Sequence, residues 1–207
     1  MLYRFGRFVF VVLFKLFYRW RIEGKENIPA DGPLIICSNH ISWLDPFAVG
    51  SAVPARLRVH FMAKNELFQN WFVAFLLNKV GAFPVNRSVA DYGAIRRSYQ
   101  LLKEGKVLSL FPEGTRSKSG RLQKAQHGTA LIAGRHPVPI LPVAIVGPYR
   151  PCRPLQINIG PPFSLPLLDF NGRQEKKEML DQMSAVIMGQ IKKLFPGGVD
   201  SDNNTPE

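Results

Sequence analysis

Two short polar islands hold the residues whose types and spacing could do chemistry: Asn39-His40-Ile41-Ser42-Trp43-Leu44-Asp45 and Phe111-Pro112-Glu113-Gly114-Thr115-Arg116. Each follows directly on an apolar, strand-like run. The first brings an imidazole and a carboxylate, a pair able to accept a proton from a hydroxyl. The second brings a hydroxyl and a guanidinium, donors suited to an anion such as phosphate. A base next to an anion site fits a transfer reaction onto a phosphate-bearing alcohol.

His40 and Asp45 are five positions apart. On a continuous helix that spacing separates them by about 140°, so contact requires a turn. Asp45 precedes Pro46, and proline favours the first helical position, which predicts a helix starting at Pro46 with Asp45 near its cap and residues 40 to 44 folding back. A carboxylate on one ring nitrogen would then set the tautomer and leave the other nitrogen to take a proton. In the second island Pro112 stops ladder pairing, and Gly114 removes a side chain where a ligand can approach the backbone. Glu113 either orients Arg116 or accepts a bond from a substrate hydroxyl. The plainer alternative makes Asp45 a simple cap and Glu-Gly-Thr-Arg an ordinary polar turn.

The elements that must carry these islands alternate along the chain. Leu34 to Cys37, Val59 to Ala63, Ala82 to Val85, Val107 to Phe111, Ile140 to Val146 and Leu155 to Ile159 are short apolar runs, most of them continuous, that read as buried strands. Helices are expected over Glu66 to Leu77, Val89 to Lys103 with Ser88 and Asp91 close to a capping box, Gln123 to Ala133 and Arg173 to Leu194, with Gly105 ending the second. Such alternation predicts a single α/β domain with a mixed, largely parallel sheet flanked by helices. In that architecture sites collect at the carboxyl ends of strands, where both islands lie.

The 207 residues include 27 Lys plus Arg against 15 Asp plus Glu, a formal charge of +12, and are 46% hydrophobic. That size suits one domain, and the charge calls for an anionic partner. Met1 to Trp20 is apolar, but its longest uninterrupted run, Phe8 to Phe14, is far shorter than a spanning helix. Wound as a helix, it places Arg4, Arg7, Lys15 and Arg19 within a third of the circumference and Leu2, Val9, Leu13, Leu16 and Trp20 opposite. Residues 1–24 are therefore expected to form an amphipathic segment associated with anionic membrane lipids, or a docking helix packed on the domain; the two readings can coexist. Residues 25–196 form the remaining domain and residues 197–207 a polar tail. Cys37 and Cys152 give no disulfide framework. Neither they nor His60, His127 and His136 have metal-ligand spacing, so no metal is expected. Dispersed cations without a nucleic-acid motif argue against a non-catalytic nucleic-acid-binding module.

Taken together these blocks resemble the glycerolipid acyltransferase family, most closely the small 1-acylglycerol-3-phosphate acyltransferases. Asn39-His40 with Asp45 is similar to the family's NHxxxxD block, Phe83 to Arg87 to its arginine-bearing second block, Phe111 to Arg116 to its FPEGTR block, and Val138-Pro139-Ile140-Leu141-Pro142 to its fourth. Order and spacing agree over roughly residues 34–147. The resemblance implies transfer of a fatty acyl group from acyl-coenzyme A or acyl carrier protein, as co-substrate and not cofactor, to the free hydroxyl of lysophosphatidic acid. It implies that Asp45 orients His40 as base, with Asn39 in support, while Arg87, Glu113, Gly114, Thr115 and Arg116 receive the phosphate. Such an enzyme would work peripherally on the cytoplasmic face of the cell membrane. Related acyltransferases use glycerol 3-phosphate or other lysolipids. One departure touches the acceptor: where many members have Lys-x-Gly this chain has Gln126-His127-Gly128, so that Lys124 or Lys118 would have to substitute.

Overall fold

A computed structural model describes residues 2–86 and 91–197. Continuously apolar segments cannot show one face to water, so they gather inside a sheet that is covered on both sides. Strands β1 (Arg19–Glu23), β2 (Leu34–Ser38), β3 (Val59–Lys64), β4 (Ala82–Val85), β5 (Val107–Leu110), β6 (Ile140–Val146) and β7 (Pro154–Ile159) form one sheet in the order β1-β7-β6-β2-β5-β3-β4. From β6 to β4 every neighbouring pair is parallel; β7 runs antiparallel to β6, and β1 parallel to β7. This is the mixed, largely parallel sheet that the sequence predicts.

Helices α1 (Leu2–Phe17) and α2 (Asp45–Ala52) cover one face of the sheet. On the other side lie α4 (Tyr92–Lys103), α5 (His127–Ala133) and α6 (Arg173–Lys192), while α3 (Trp71–Lys79) leads into β4. The pleat of β2 divides the two cores: Leu34 and Ile36 face α1 and α2, whereas Ile35 and Cys37 face α4 to α6. Because β2 is central, between β5 and β6, the loops leaving β2 and β5 emerge side by side at their carboxyl ends. A backbone bond from Ser117 N to the His40 carbonyl, 2.7 Å, ties the two loops directly.

Several boundaries shift for local reasons. The segment expected as one helix from Glu66 is broken. A 3₁₀ turn, Asn65–Phe68, precedes Asn70, whose Oδ1 accepts from Phe72 N and Val73 N and starts α3 afresh. Helix α4 is capped by Asp91, which accepts from Ala94 N at 2.9 Å; Ser88, expected with it in a capping box, lies outside the described residues. It ends as expected at Gly105, whose φ of +71° lets Lys106 N reach Leu101 O. Helix α5 starts only at His127, because Gln126 is extended and its N–H goes to Pro112 O at 2.8 Å.

The N-terminal segment differs most. Its helix stops at Phe17, and Arg19 and Trp20, expected on the helix, belong instead to β1. The alternation Arg-Trp-Arg-Ile-Glu is an edge-strand pattern, exposed and half-buried by turns. The sheet therefore begins before residue 25. Along α1 a stripe of Tyr3, Arg7, Phe10 and Phe14 meets the domain: the Tyr3 hydroxyl accepts from Val59 N, Phe10 stacks on Phe47 at 4.0 Å, and Phe14 is fully buried. Arg7, expected on a membrane-facing cationic side, instead donates to the carbonyls of Ser51 (2.9 Å) and Val53 (3.0 Å) at the end of α2. There it satisfies acceptors that the helix itself leaves open. The opposite face, with Leu2, Phe5, Phe8, Val9, Leu13, Leu16 and Phe17, stays exposed, bordered by exposed Arg4 and Lys15.

Phe14 contacts the rings of Tyr18, Trp20 and Tyr149. Phe14→Ala is expected to destabilise the fold by roughly 3–5 kcal/mol, read as a lowered urea midpoint; a midpoint equal to wild type would show that α1 does not dock as described.

Candidate active site

The loop after β2 folds back as the spacing of His40 and Asp45 requires. Asp45 opens α2, with Pro46 in its first turn, and its carboxylate returns to the loop. Oδ2 accepts from Ile41 N (2.6 Å) and Ser42 N (2.8 Å) and lies 2.7 Å from His40 Nδ1. Oδ1 accepts from the Tyr149 hydroxyl at 2.7 Å. The carboxylate is completely buried. Burying a carboxylate without partners costs several kcal/mol, and here donors meet both of its oxygens, three on Oδ2 and one on Oδ1.

His40 is held at three points, two on its ring and one on its backbone. Its Nδ1 faces Asp45, its plane stacks on Phe111 with centroids 4.0 Å apart and 17° between planes, and its backbone N–H donates to Glu113 Oε1 at 2.9 Å. With Nδ1–H donated to Asp45, Nε2 is the nitrogen left with its lone pair, and no hydrogen bond engages it among the described residues. An imidazole so placed accepts a proton at Nε2 while the carboxylate stabilises the resulting cation. Asn39, also buried, copies a strand residue: Nδ2 donates to Ile145 O (2.9 Å) and Oδ1 accepts from Ile145 N (2.7 Å), extending the link between β2 and β6 up to His40.

The second island is divided by the fold. Glu113, grouped with the phosphate receivers on sequence, is buried, and both its oxygens are engaged, by His40 N and by Gln123 N (3.1 Å). Burial raises its pKa, the two backbone donors counter that, and the Asp45 charge adds to the rise. The carboxylate clamps two loops, and a second negative charge there would repel phosphate. Gly114 has φ of +71°, and a Cβ on it would come within 3.0 Å of Gln126 Cγ, so glycine is required by backbone and neighbour together. Thr115 and Arg116 are exposed, Thr115 at the rim of a cleft. Arg87 lies outside the described residues.

That cleft, about 710 Å³, runs over the α4 and α5 side of the sheet from Phe111 and Gly114 between Met62, Ile95 and Leu131. Gln126 lines it; Lys118 and Lys124, its expected substitutes as cations, are exposed and do not. The cleft, being formed by strands far apart in sequence, leaves no local signal in the chain. Nor does the Tyr149 contact, since Tyr149 follows Asp45 by 104 positions. Of the remaining histidines, His127 pairs with Asp181 at 2.8 Å, His60 Nδ1 lies 3.2 Å from Val107 O, and His136 packs on Tyr99. Cys37 is buried and its thiol ionisation is pushed up by burial, leaving it unreactive. Among the described residues no group of three or more possible metal ligands occurs.

The α/β sheet thus sets a histidine–aspartate pair, a buried Glu and an exposed Arg at the ends of its central strands, an arrangement suited to proton transfer at a hydroxyl beside an anion, and comparison gives the class of protein that carries it. A family model described as Acyltransferase matches residues 19–146, and the chain belongs to this acyltransferase family. The 1-acyl-sn-glycerol-3-phosphate acyltransferase of Bacillus subtilis (strain 168) is 32% identical over 199 residues, covering 93% of this chain and 96% of that protein. The human 1-acyl-sn-glycerol-3-phosphate acyltransferase beta is 31% identical over 144 residues, 65% of this chain and 49% of its own. The crystal structure of the 1-acyl-sn-glycerophosphate acyltransferase PlsC from Thermotoga maritima superposes with a TM-score of 0.63 at 27% identity, covering 90% of this chain and 77% of that one.

If Nε2 is the proton acceptor, His40→Ala lowers kcat by roughly a thousandfold or more and Asp45→Asn by about a hundredfold or more, with unfolding midpoints as controls. Cys37→Ala retains activity. An active His40→Ala enzyme, or an inactive but folded Cys37→Ala enzyme, contradicts the assignment.

Proposed function

We propose that this acyltransferase moves a fatty acyl group from a thioester donor to the free hydroxyl of 1-acylglycerol 3-phosphate, giving phosphatidic acid. The observation that carries the reading is the His40–Asp45 contact at 2.7 Å, beside the exposed hydroxyl and guanidinium of Thr115 and Arg116. His40 Nε2 takes the hydroxyl proton as the oxygen attacks the thioester carbonyl. The tetrahedral intermediate collapses with loss of the thiolate, which receives the proton back from the imidazolium. A thioester is already activated, so no acyl-enzyme is needed. Thr115 and Arg116, with Arg87 by family resemblance, are the proposed phosphate partners. The relatives' names supply the acceptor; Gln126 at the cleft in place of the family lysine is what a different acceptor would exploit.

The donor is acyl-coenzyme A or acyl carrier protein in this reading. A second cavity of about 600 Å³, lined by His127, Arg173, Gln174, Lys176, Lys177 and Leu180, shares His127 with the main cleft and offers cations to a phosphate or an acidic surface. Purified enzyme given lysophosphatidate and glycerol 3-phosphate with each donor should form phosphatidic acid from the first acceptor only. Acylation confined to glycerol 3-phosphate refutes the acceptor.

We further propose peripheral attachment to the anionic, cytoplasmic leaflet through α1. No helix of the described residues is long and apolar enough to cross a membrane. What supports attachment is the exposed apolar face of α1, with Phe8 63% and Leu16 73% exposed, beside Arg4 and Lys15. Since neither Phe8 nor Leu16 packs on the domain, the double substitution Phe8→Glu, Leu16→Glu is expected to cut sedimentation with phosphatidylglycerol vesicles several-fold while leaving the unfolding midpoint in place. Unchanged sedimentation contradicts this mode of attachment.

A further inference from the structure

Tyr149 lies outside the motif blocks, in the loop between β6 and β7, yet it reaches the centre of the site. Its hydroxyl donates to Asp45 Oδ1 at 2.7 Å, the one side-chain donor on that oxygen among the described residues. The other oxygen, Oδ2, already serves Ile41 N, Ser42 N and the imidazole. Without Tyr149 the carboxylate would have a buried oxygen lacking a donor and a torsion held from one side only. The phenol is itself clamped: its ring packs against Phe14 (centroids 6.4 Å apart) and edge-on against Tyr18 (5.9 Å, 80°), at the end of α1. Burial first, then the adjacent Asp45 charge, push the phenol's ionisation well up, so it remains a donor across the working pH range.

We propose that Tyr149 is a positioning residue for acyl transfer: it holds the free oxygen of Asp45 so that the carboxylate orients the His40 imidazole, and the aromatic seat of α1 holds Tyr149. The proposal rests on the reading of His40 as base given above. Its physical consequence is a set basicity. A hydroxyl bonded to a carboxylate disperses its negative charge. Removing that bond leaves more charge on the oxygens facing the imidazole, favours imidazolium, and withdraws the base at a higher pH. The other titratable groups around the pair are Glu113, which bonds the His40 backbone, and Tyr18, which meets the Tyr149 ring; neither contact is made through the Tyr149 hydroxyl, so Tyr149→Phe removes neither directly.

The test is Tyr149→Phe in the full-length enzyme, which keeps the ring and its packing, with Tyr99→Phe as control because the Tyr99 hydroxyl also bonds inside the domain, to Leu131 O at 3.0 Å, away from the pair. Wild type, both variants and Tyr149→Leu are assayed for kcat and KM across pH, with thermal unfolding alongside. The expected result for Tyr149→Phe is kcat lowered roughly three- to thirtyfold at unchanged KM, with the acid limb of the kcat profile moved upward by a few tenths of a unit or more. Tyr99→Phe leaves the limb unmoved, and Tyr149→Leu loses more kcat. An unchanged profile with kcat within twofold of wild type overturns the proposal, as does a kcat loss that comes with an unmoved limb and a lowered unfolding temperature. Absence of acyl transfer in wild type overturns instead the reading of His40 as base.

Discussion

The site depends on one buried carboxylate. Asp45 gathers four donors that arrive from three directions: the imidazole it orients, two amides of its own loop, and a phenol from a loop about a hundred residues away. Those bonds fold residues 40 to 44 into a turn, start α2, and leave His40 with one ring nitrogen available. Remove the charge, and the turn, the helix start and the tautomer lose their common support.

Around this centre the parallel sheet supplies rigidity. The carboxyl ends of β2, β5 and β6 are adjacent, so His40 and Asn39 from one, Phe111 and Glu113 from the next, and the partner of Asn39 on the third converge without any long excursion. Two buried carboxylates flank the same histidine with different tasks. Asp45 addresses the ring, whereas Glu113 holds the backbone and the loop at Gln123. The exposed Thr115 and Arg116 are then free to meet an anion from solvent or a membrane surface.

How far the sequence foretold this varies with the distance over which each signal acts. The turn at Asp45-Pro46 was legible because cap, proline and spacing are local, and most strands because their apolar runs are continuous. The strand at Arg19–Glu23 was hidden by position: it follows an amphipathic helix whose pattern can be extended through it, and only pairing with β7 reveals it. The place of Arg7 is hidden for a similar reason, since a cation on a helix gives no sign that the carbonyls of another helix await it. Glu113 and Tyr149 show the third kind of limit. Their chemistry was visible as residue type, but their partners are set by tertiary contacts between segments about 70 to 100 positions apart.

The state of the His40 ring tests the account most directly. Nitrogen-15 spectra of histidine-labelled enzyme, with the His40 signal identified by its loss in His40→Ala, report which ring nitrogen carries the proton in the neutral form. The geometry predicts the Nδ1–H tautomer, held by Asp45 with Nε2 bare. A predominant Nε2–H tautomer would leave no acceptor for the substrate hydroxyl and would contradict the account.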